Sequence, residues 1–363
     1  MFKFLQHLLL LVLIGISLPV FSQNINAFTD ANNRLYQFKD GEFSQIYYQV
    51  TRDVLVGTNH LCFVDSKGDV YAYFGGEKSL IAQTHSEIIN SDHLLFVRTA
   101  TVLRVFDQGV VHMISPNATA WAVGDSLVLF QDMIGGYVRY YYQDEIHELS
   151  MVIGNYPILD GEVGSNVFVF KDNSGNHSVF WHGKFYDLFN SNLRIKYAAG
   201  QDVLAFNDPI HNTFTAFDNG YIIDLEPQFA KQFAAGDNYI YYKSAGDVHK
   251  VVREERVTDL GIDLQILQTT DSLVIYNEVG AFKVWYNEKI YQLFNTKIGE
   301  FQTDGGIIAY TNSVGGVSAF VRGKEIDITR TRVEGFKLVG STILLRFGPS
   351  AYSVWWNGKI YDF

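Results

Sequence analysis

One short phrase recurs along the whole chain, and this repetition restricts the fold more than any other feature. The stretch HSVFWHGKFYDL at residues 177–188 returns as YSVWWNGKIYDF at residues 352–363. Alignment on the residue that ends the polar turn gives ten units, whose equivalent residues lie 32 to 39 positions apart. These residues are Gly41, Gly76, Gln108, Asp144, Gly183, Gly220, Glu255, Glu288, Gly323 and Gly358. A period of this length indicates a chain built from copies of one supersecondary unit.

Each unit has the pattern of short strands joined by tight turns. The residue three before the aligned position and the residue five after it are apolar in every unit, and the residue just before it is polar or Gly. Asn-Gly-like pairs at such a place favour a two-residue hairpin turn with positive φ. Upstream, a second polar turn precedes apolar runs such as LLFV from Leu94 and LVLF from Leu127. These runs indicate strands buried on both faces.

Four antiparallel strands per unit of about 35 residues predict an all-β protein, a β-propeller of about ten short blades. The blade hairpins are then centred near the ten aligned positions. Two smaller propellers in tandem are the alternative, because the longest spacings flank the middle of the chain and ten blades exceed the usual four to eight. The first unit offers three strands where later units offer four, so we expect the ring to close there.

The first 22 residues differ from the repeats. Lys3 precedes the apolar run LLLLVLIGISLPV, and the small residues Val20 and Ser22 stand before Gln23. This pattern predicts a signal peptide at residues 1–22, with the propeller at residues 23–363. No later apolar run is long enough to span a bilayer, so we expect no transmembrane segment in the mature chain. We expect an exported protein that is periplasmic, associated with the outer membrane or extracellular.

The net charge and the absence of known motifs limit the partners and the kinds of site that we expect. The formal net charge is −11, and the acidic excess is spread along the chain, which argues against nucleic acid as a partner. The sequence contains no zinc-binding, phosphate-binding or nucleophile-elbow motif, so we predict no cofactor, no metal site and no catalytic residues. The single cysteine, Cys62, is expected to be a buried strand residue. The segments DSKGD at 65–69 and DNSGN at 172–176 resemble cation-binding loops, but Asx turns explain them better.

A carboxylate recurs four residues after the aligned position. The acidic members of this series are Glu148, Asp187, Asp224, Asp259, Asp327 and Asp362. Because most units share the feature, we interpret it as a structural pairing between strands. A catalytic site would be expected to break the symmetry of the repeat.

The repeats and the LPVFSQ segment resemble secreted or periplasmic β-propeller repeat proteins of Bacteroidetes-type envelopes, although no specific propeller family matches. This resemblance and the short uniform loops lead to the hypothesis of a non-enzymatic protein–protein interaction scaffold in the bacterial cell envelope, such as a subunit of an outer-membrane or secretion complex. Tyr137, Tyr156 and Phe214 are the aromatic loop residues predicted to contact a protein partner. The alternative is a carbohydrate-binding or glycan-cleaving propeller with paired carboxylates in its central cavity.

Overall fold

The computed structural model describes residues 25–151, 161–295 and 300–363. In these ranges the chain forms thirty-nine strands in ten antiparallel sheets. Nine sheets have four strands and the first has three, and each is built from strands consecutive in the chain. The same ranges contain no helix with the length and hydrophobicity needed to cross a bilayer. The predicted signal peptide and Tyr156 lie outside the described residues.

Each sheet is one blade, and its strands take the same places in every blade. The innermost strands are β4 (Thr51–Val56), β8 (Glu87–Asn90), β12 (Ala118–Val123), β16 (Gly161–Val163), β20 (Tyr197–Ala199), β24 (Gln232–Ala235), β28 (Leu264–Thr269), β32 (Phe301–Asp304) and β36 (Gly335–Val339). The second strands are β1 (Ile25–Thr29), β5 (His60–Asp65), β9 (Leu94–Thr99), β13 (Leu127–Asp132), β17 (Val167–Lys171), β21 (Val203–Asp208), β25 (Ile240–Lys243), β29 (Leu273–Glu278), β33 (Ile307–Thr311) and β37 (Thr342–Gly348). The third strands are β2 (Leu35–Lys39), β6 (Val70–Phe74), β10 (Val102–Asp107), β14 (Tyr137–Tyr142), β18 (Asn176–Trp181), β22 (Thr213–Asp218), β26 (His249–Arg253), β30 (Ala281–Tyr286), β34 (Val317–Val321) and β38 (Ala351–Trp356). The outer strands are β3 (Glu42–Tyr47), β7 (Glu77–Ala82), β11 (Val110–Ser115), β15 (Glu145–Met151), β19 (Lys184–Asn190), β23 (Tyr221–Glu226), β27 (Arg256–Gly261), β31 (Lys289–Phe294), β35 (Lys324–Thr329) and β39 (Lys359–Asp362).

The ten blades form one closed ring. Innermost strands of successive blades contact each other, as β12, β16, β20 and β24 do in turn. Strand β1 of the first blade contacts both β4 of the second blade and β37 of the tenth. The predicted ten-bladed propeller is therefore confirmed, and the alternative of two tandem propellers is wrong.

The core lies between the faces of neighbouring blades. The second strands supply most of it, since all six residues of β5 and of β13 are buried. Cys62 of β5 packs with Val97 and Phe106 of the next blade, so the prediction that this cysteine is a buried strand residue is confirmed. The apolar runs of the sequence thus pack against a blade on each side, which is why they lack alternation.

Every hairpin between a third and an outer strand has a two-residue turn in which both residues have positive φ. His182 and Gly183, for example, have φ of 46° and 78°. This is the type I′ geometry, whose twist matches that of paired strands. In the third blade the turn residues are Gln108 and Gly109, with φ of 45° and 93°. The aligned residue of that unit is therefore Gly109, and the predicted choice of Gln108 is wrong by one position.

The shifted alignment improves the repeat. Counted from Gly109, the two apolar positions fall on Phe106 and Ile114, which are both buried. The earlier alignment put Met113 at the second of these positions, but the Met113 side chain is exposed. A β-bulge near Ile114 restores the pairing of Leu103 with Ser115, and similar bulges occur in the outer strands of most blades.

Glycines at the inner turns allow neighbouring blades to approach closely. A Cβ built on Gly164 would lie 1.9 Å from the Gly200 carbonyl oxygen. A Cβ on Gly200 would lie 1.7 Å from the Gly236 carbonyl oxygen. Both distances are far inside van der Waals contact, so any larger residue would force the two turns apart.

Polar side chains join the first and tenth blades. The buried Asn26 amide donates to the Thr342 hydroxyl (3.1 Å), which in turn donates to the Val339 carbonyl (2.7 Å). The Tyr352 hydroxyl donates to the Thr29 carbonyl (3.2 Å). The described residues of the two blades share no hydrogen-bonded strand pair, so side chains carry this junction.

Aromatic rings complete the same junction. Phe28 of the first blade stacks on Tyr352 with ring centroids 4.5 Å apart, and Phe363 meets Phe28 edge-on at 4.9 Å. Phe38 contacts Tyr361 with centroids 5.4 Å apart. Such pairs contribute about 0.5–1.5 kcal/mol each beyond area burial. We call this junction the seam; its position agrees with the expected place of closure.

We expect Gly200→Ala to destabilise the ring. The new methyl group collides with backbone, which cannot move without separating two blades, so the free energy of unfolding should fall by about 1–3 kcal/mol or more. Chemical denaturation followed by circular dichroism measures it. The control is Gly335→Ala, because no atom lies within 4 Å of a Cβ at Gly335; equal losses in the two variants would contradict the close-approach argument.

We expect Thr342→Val to cost about 1–3 kcal/mol, because it removes the nearer acceptor of the buried Asn26 amide and leaves only the Lys337 carbonyl, 3.5 Å away. A double-mutant cycle with Asn26→Ala should give a coupling energy of at least about 0.5 kcal/mol. Urea denaturation of the four proteins provides the values. Strictly additive effects would show that this hydrogen bond does not hold the seam.

Candidate functional site

The inner turns of nine blades surround one opening at the centre of the ring. These turns join innermost to second strands, and they line two adjoining cavities of about 250 and 400 Å³. We call this opening the central mouth. Its main lining residues are Thr58, Asp92, Asp125, Ser165, Gln201, Asp237, Asp271, Asp304 and Gly340.

Hydrogen bonds between turns position the side chains of the mouth. The Ser165 amide donates to the Gly200 carbonyl (2.9 Å), and the Asp237 amide donates to the Asp271 carbonyl (2.6 Å). The Ser165 hydroxyl donates to a carboxylate oxygen of Asp125 (2.7 Å). Several turns are thus held by the next one around the ring, which fixes the shape of the mouth.

Five aspartates make the mouth acidic. Burial, followed by the negative charge of Asp271, raises the pKa of Asp237 to about 7. Burial, followed by the charge of Asp125, raises the pKa of Asp92 to about 6. Burial also raises the pKa of Asp271 and of Asp304. Near neutral pH, some of these carboxyl groups therefore hold a proton.

The lining of the mouth can form hydrogen bonds, but its described residues include few basic side chains and no aromatic ring. Among the described lining residues, Arg322 is the only Lys or Arg, and none is Phe, Tyr or Trp. The described residues contain no group of three His, Cys, Asp or Glu side chains placed to hold a metal ion. The mouth is therefore suited to polar or cationic groups that bind through hydrogen bonds and charge.

The two loops that resemble cation sites are Asx turns, as predicted. One carboxylate oxygen of Asp65 accepts from the amides of Lys67 and Asp69 (2.8 and 3.0 Å). Asp172 accepts from the amides of Ser174 and Asn176 in the same way (both 2.8 Å), and these bonds lower its pKa against the opposing effect of burial. Each carboxylate thus closes the loop between a second and a third strand.

The recurring carboxylates of the outer strands also have the structural role predicted for them in several blades. In four blades the carboxylate accepts a hydrogen bond from a hydroxyl directly opposite on the third strand. The pairs, with their distances, are Ser178 to Asp187 (3.2 Å), Thr215 to Asp224 (2.9 Å), Ser318 to Asp327 (3.2 Å) and Ser353 to Asp362 (2.8 Å). These acids stabilise the blade edge and lie far from the mouth along each sheet.

The second residue of each outer strand forms a row around the ring, which we call the outer rim. This residue is apolar in eight of the ten blades, with Lys78 and Glu325 as the exceptions. Seven of the apolar side chains are between 37% and 53% exposed. They are Val111, Ile146, Phe185, Ile222, Val257, Ile290 and Ile360.

The backbone of the outer rim is also available. A two-residue hairpin turn is closed by a hydrogen-bonded pair, and bonded and non-bonded pairs then alternate along the strands. The second residue of the outer strand therefore directs its N–H and C=O away from the third strand. No further strand lies beyond the outer strand in the described sheets, so the outer rim combines apolar side chains with free backbone groups.

The predicted contact residues lie in different environments. Tyr137 begins β14 and is partly buried under the Arg139 guanidinium, 5.5 Å from the ring centroid. Its role in binding stays a prediction. Phe214 does not lie on a loop: it belongs to β22 and is fully buried against Phe233 and Tyr242. Phe214 is therefore a core residue whose ring is unavailable to a partner.

The sequence predicts a central cavity with paired carboxylates as an alternative, but it identifies neither the residues of the mouth nor those of the outer rim. The sequence does carry a trace of the mouth, since polar residues follow the turn glycine in GDS from Gly124, GSN from Gly164 and GQD from Gly200. The outer rim is visible as an apolar residue two places after most hairpin turns. Only the ring shows that the first set converges on one opening and the second set is exposed.

We expect Asp237→Asn to stabilise the protein at pH 8 and to have little effect at pH 3.5, below the ordinary pKa of an aspartate. The raised pKa means that the folded state binds more protons than the unfolded state between about pH 4 and pH 7, so stability falls as pH rises through this window. Removing the carboxylate should raise Tm at pH 8 by at least about 2 °C. Asp263→Asn, at an exposed site, controls for the loss of one charge. A Tm difference that is equal at both pH values would contradict the assignment.

Comparison with solved structures gives only distant likenesses. The computationally designed protein Ika8 is 14% identical, with 84% of this chain and 96% of that chain covered and a TM-score of 0.36. PorZ, a surface component of the type-IX secretion system of Porphyromonas gingivalis, is 10% identical, with coverage of 94% and 59% and a TM-score of 0.32. Prp20p from Saccharomyces cerevisiae is 10% identical, with coverage of 69% and 90% and a TM-score of 0.35. These scores are too low to support an inference about this chain.

Comparison with models of protein families, in contrast, identifies the family of this chain. No curated protein matches the sequence significantly. The family model of the 10-bladed beta propeller domain matches residues 20–361, which is nearly the whole chain. Ten sheets, one ring and this match agree, and the chain therefore belongs to the family of 10-bladed β-propeller domains.

Proposed function

We propose that the protein is a non-enzymatic scaffold that binds other proteins in the bacterial cell envelope. The outer rim carries this proposal. Exposed apolar side chains recur there in seven blades, beside backbone groups that have no strand partner. An isolated exposed apolar residue is ordinary, but a repeated row on free sheet edges is typical of an interaction surface.

A partner at the outer rim can use both features together. Apolar side chains provide anchors that lose water on binding, and the free N–H and C=O groups can pair with an extended segment. The hairpin turns beside the rim are two residues long, so the rim keeps its shape before the partner arrives. A rigid ring with repeated anchors suits assembly of larger complexes better than turnover of a substrate.

The envelope location is part of the same proposal. It is supported by the predicted signal peptide at residues 1–22 and by the resemblance to exported repeat proteins of Bacteroidetes-type envelopes. Within the envelope, we propose a role as a subunit of an outer-membrane or surface complex.

Carbohydrate binding or cleavage is the second candidate, because of the neighbouring acids of the mouth. Burial raises the pKa of Asp237 to about 7, and Asp237 lies beside Asp271, whose pKa burial also raises. Glycoside hydrolysis uses a pair of carboxyl groups, one of which acts as an acid with a raised pKa. The described lining offers no aromatic ring on which a sugar could stack. We therefore place this candidate second. Turnover of a polysaccharide that Asp237→Asn abolishes would reverse the order.

The outer rim is tested by capture of partners from a native envelope extract on the immobilised full mature chain. We expect wild-type protein to recover a stoichiometric partner. Two double variants divide the rim: Val111→Glu with Ile146→Glu, and Ile222→Glu with Val257→Glu. At least one of them should lower recovery about tenfold or more, because a charge at an apolar anchor must be desolvated on binding.

The matched control is Val279→Glu. Among the described residues Val279 is the most exposed large apolar one, but it lies in the turn between β29 and β30 and not on an outer strand. Its recovery of partner should equal that of the wild type. Undiminished recovery by both double variants, or no stoichiometric partner with wild type, would count against the proposal, provided that circular dichroism shows all variants folded.

A further inference from the structure

Strand β11 differs from the other nine outer strands. It contains no Asp, Glu, Lys or Arg, whereas each of the others contains at least one. Val110, Val111 and Met113 are 54%, 37% and 59% exposed, which makes β11 the outer strand with the most exposed apolar side chains. Sheet edges in soluble proteins are normally protected by charge, so an uncharged apolar edge needs a covering partner.

The backbone of β11 can accept a further strand. Asp107 pairs with Val110 next to the two-residue turn, and Phe106 pairs with Val111. By the alternation of hydrogen-bonded pairs, Val111 and Met113 direct their N–H and C=O groups away from β10. The residues with outward backbone groups are therefore also residues with exposed apolar side chains.

Two carboxylates beside the start of β11 have no Lys or Arg partner among the described residues. Asp107 lies on β10 across from Val110, and Asp144 belongs to the neighbouring hairpin turn. The Tyr141 hydroxyl lies 3.1 Å from a carboxylate oxygen of each. The imidazole of His112 is 3.4 Å from Asp144, and no Lys or Arg in the described ranges forms an ion pair with either acid. A cation from outside would complete this pair.

We propose that β11 is the docking edge for an extended segment of a partner protein, which adds as a fifth strand and carries alternating apolar residues with a Lys or Arg beside Asp107 and Asp144. This inference rests on the proposed scaffold function and specifies its partner. The strand ladder supplies affinity, and the apolar and basic positions supply selectivity. The negative charge of the whole chain favours the same basic partner by steering its approach.

The test uses short capped peptides and the full mature protein. One fluorescein-labelled peptide alternates Thr and Val between terminal lysines, and the matched peptide has glutamates in place of the lysines. Fluorescence anisotropy should show that the lysine peptide binds at least about tenfold more tightly than the glutamate peptide, which corresponds to about 1.4 kcal/mol. Asp144→Asn should reduce that difference.

Variants of the edge locate the site. Val111→Lys should weaken binding of the lysine peptide about tenfold or more, and Val111→Pro should do so by removing one outward N–H group. Val279→Lys is the control, because Val279 is exposed in the turn between β29 and β30 and lies outside the outer rim. Its affinity for the peptide should equal that of the wild type.

Several results would overturn the inference. Equal affinity for the two peptides would show that the partner needs no basic residue. Equal losses of affinity in Val111→Lys and Val279→Lys would show that β11 is not the site. Self-association in sedimentation that Val111→Lys abolishes would make a second copy of the chain the occupant. An envelope partner that still binds Val111→Lys would refute the β11 edge and leave the scaffold function standing. Absence of any partner would refute the scaffold function. The peptide experiment would then still show whether β11 accepts a further strand.

Discussion

The structure depends on backbone contacts between the inner turns of neighbouring blades. The inner turns of nine blades surround the opening at the centre of the ring. The turns meet there directly, with the Ser165 amide on the Gly200 carbonyl and glycines where a Cβ would collide. These contacts set the distance between blades at the centre, and the apolar faces then pack outward from it. The second strands can be apolar on both faces because a neighbouring blade always covers them.

The same arrangement separates two surfaces. The inner turns bring carboxylates together, and burial raises the pKa of Asp92 and Asp237 towards neutrality. The outer strands, at the far end of each sheet, leave apolar side chains and backbone groups exposed. The mouth is polar and rigid and carries charge, whereas the outer rim is apolar and has unpaired edges. A protein partner can contact both apolar side chains and unpaired backbone groups at the outer rim. For this reason we assign the proposed binding function to the rim.

Much of the fold could be predicted because the same local pattern of apolar residues and tight turns recurs in all ten units. The pattern predicts a hairpin wherever it occurs: an apolar residue, a tight turn and a second apolar residue. The segment from Trp355 to Phe363 is an example. Errors arose where one unit departs from the pattern. In the third unit the sequence does not show whether Gln108 or Gly109 ends the turn, because both residues can adopt a positive φ there. The sequence around Phe214 does not show that this aromatic side chain is buried, because polar residues precede it.

The functional surfaces could not be predicted in the same way. Asp125 and Asp271 are 146 residues apart and face one opening only because the ring closes. Val111 is apolar like its core neighbours, and its exposure follows from its place on the last strand of a sheet. Such properties belong to the assembled ring. They become visible only when the number of blades and the order of strands in each blade are known.

The construction of each sheet from consecutive strands has a consequence for how the chain could be rearranged. In the described sheets no blade mixes strands from the two ends of the chain, and the seam is held by side chains such as Asn26, Thr342 and Phe28. A circular permutation that joins the present ends and cuts the chain between any two blades would leave every described sheet intact. The seam would then be an ordinary blade junction. The ten sheets do not depend on which blade comes first in the chain.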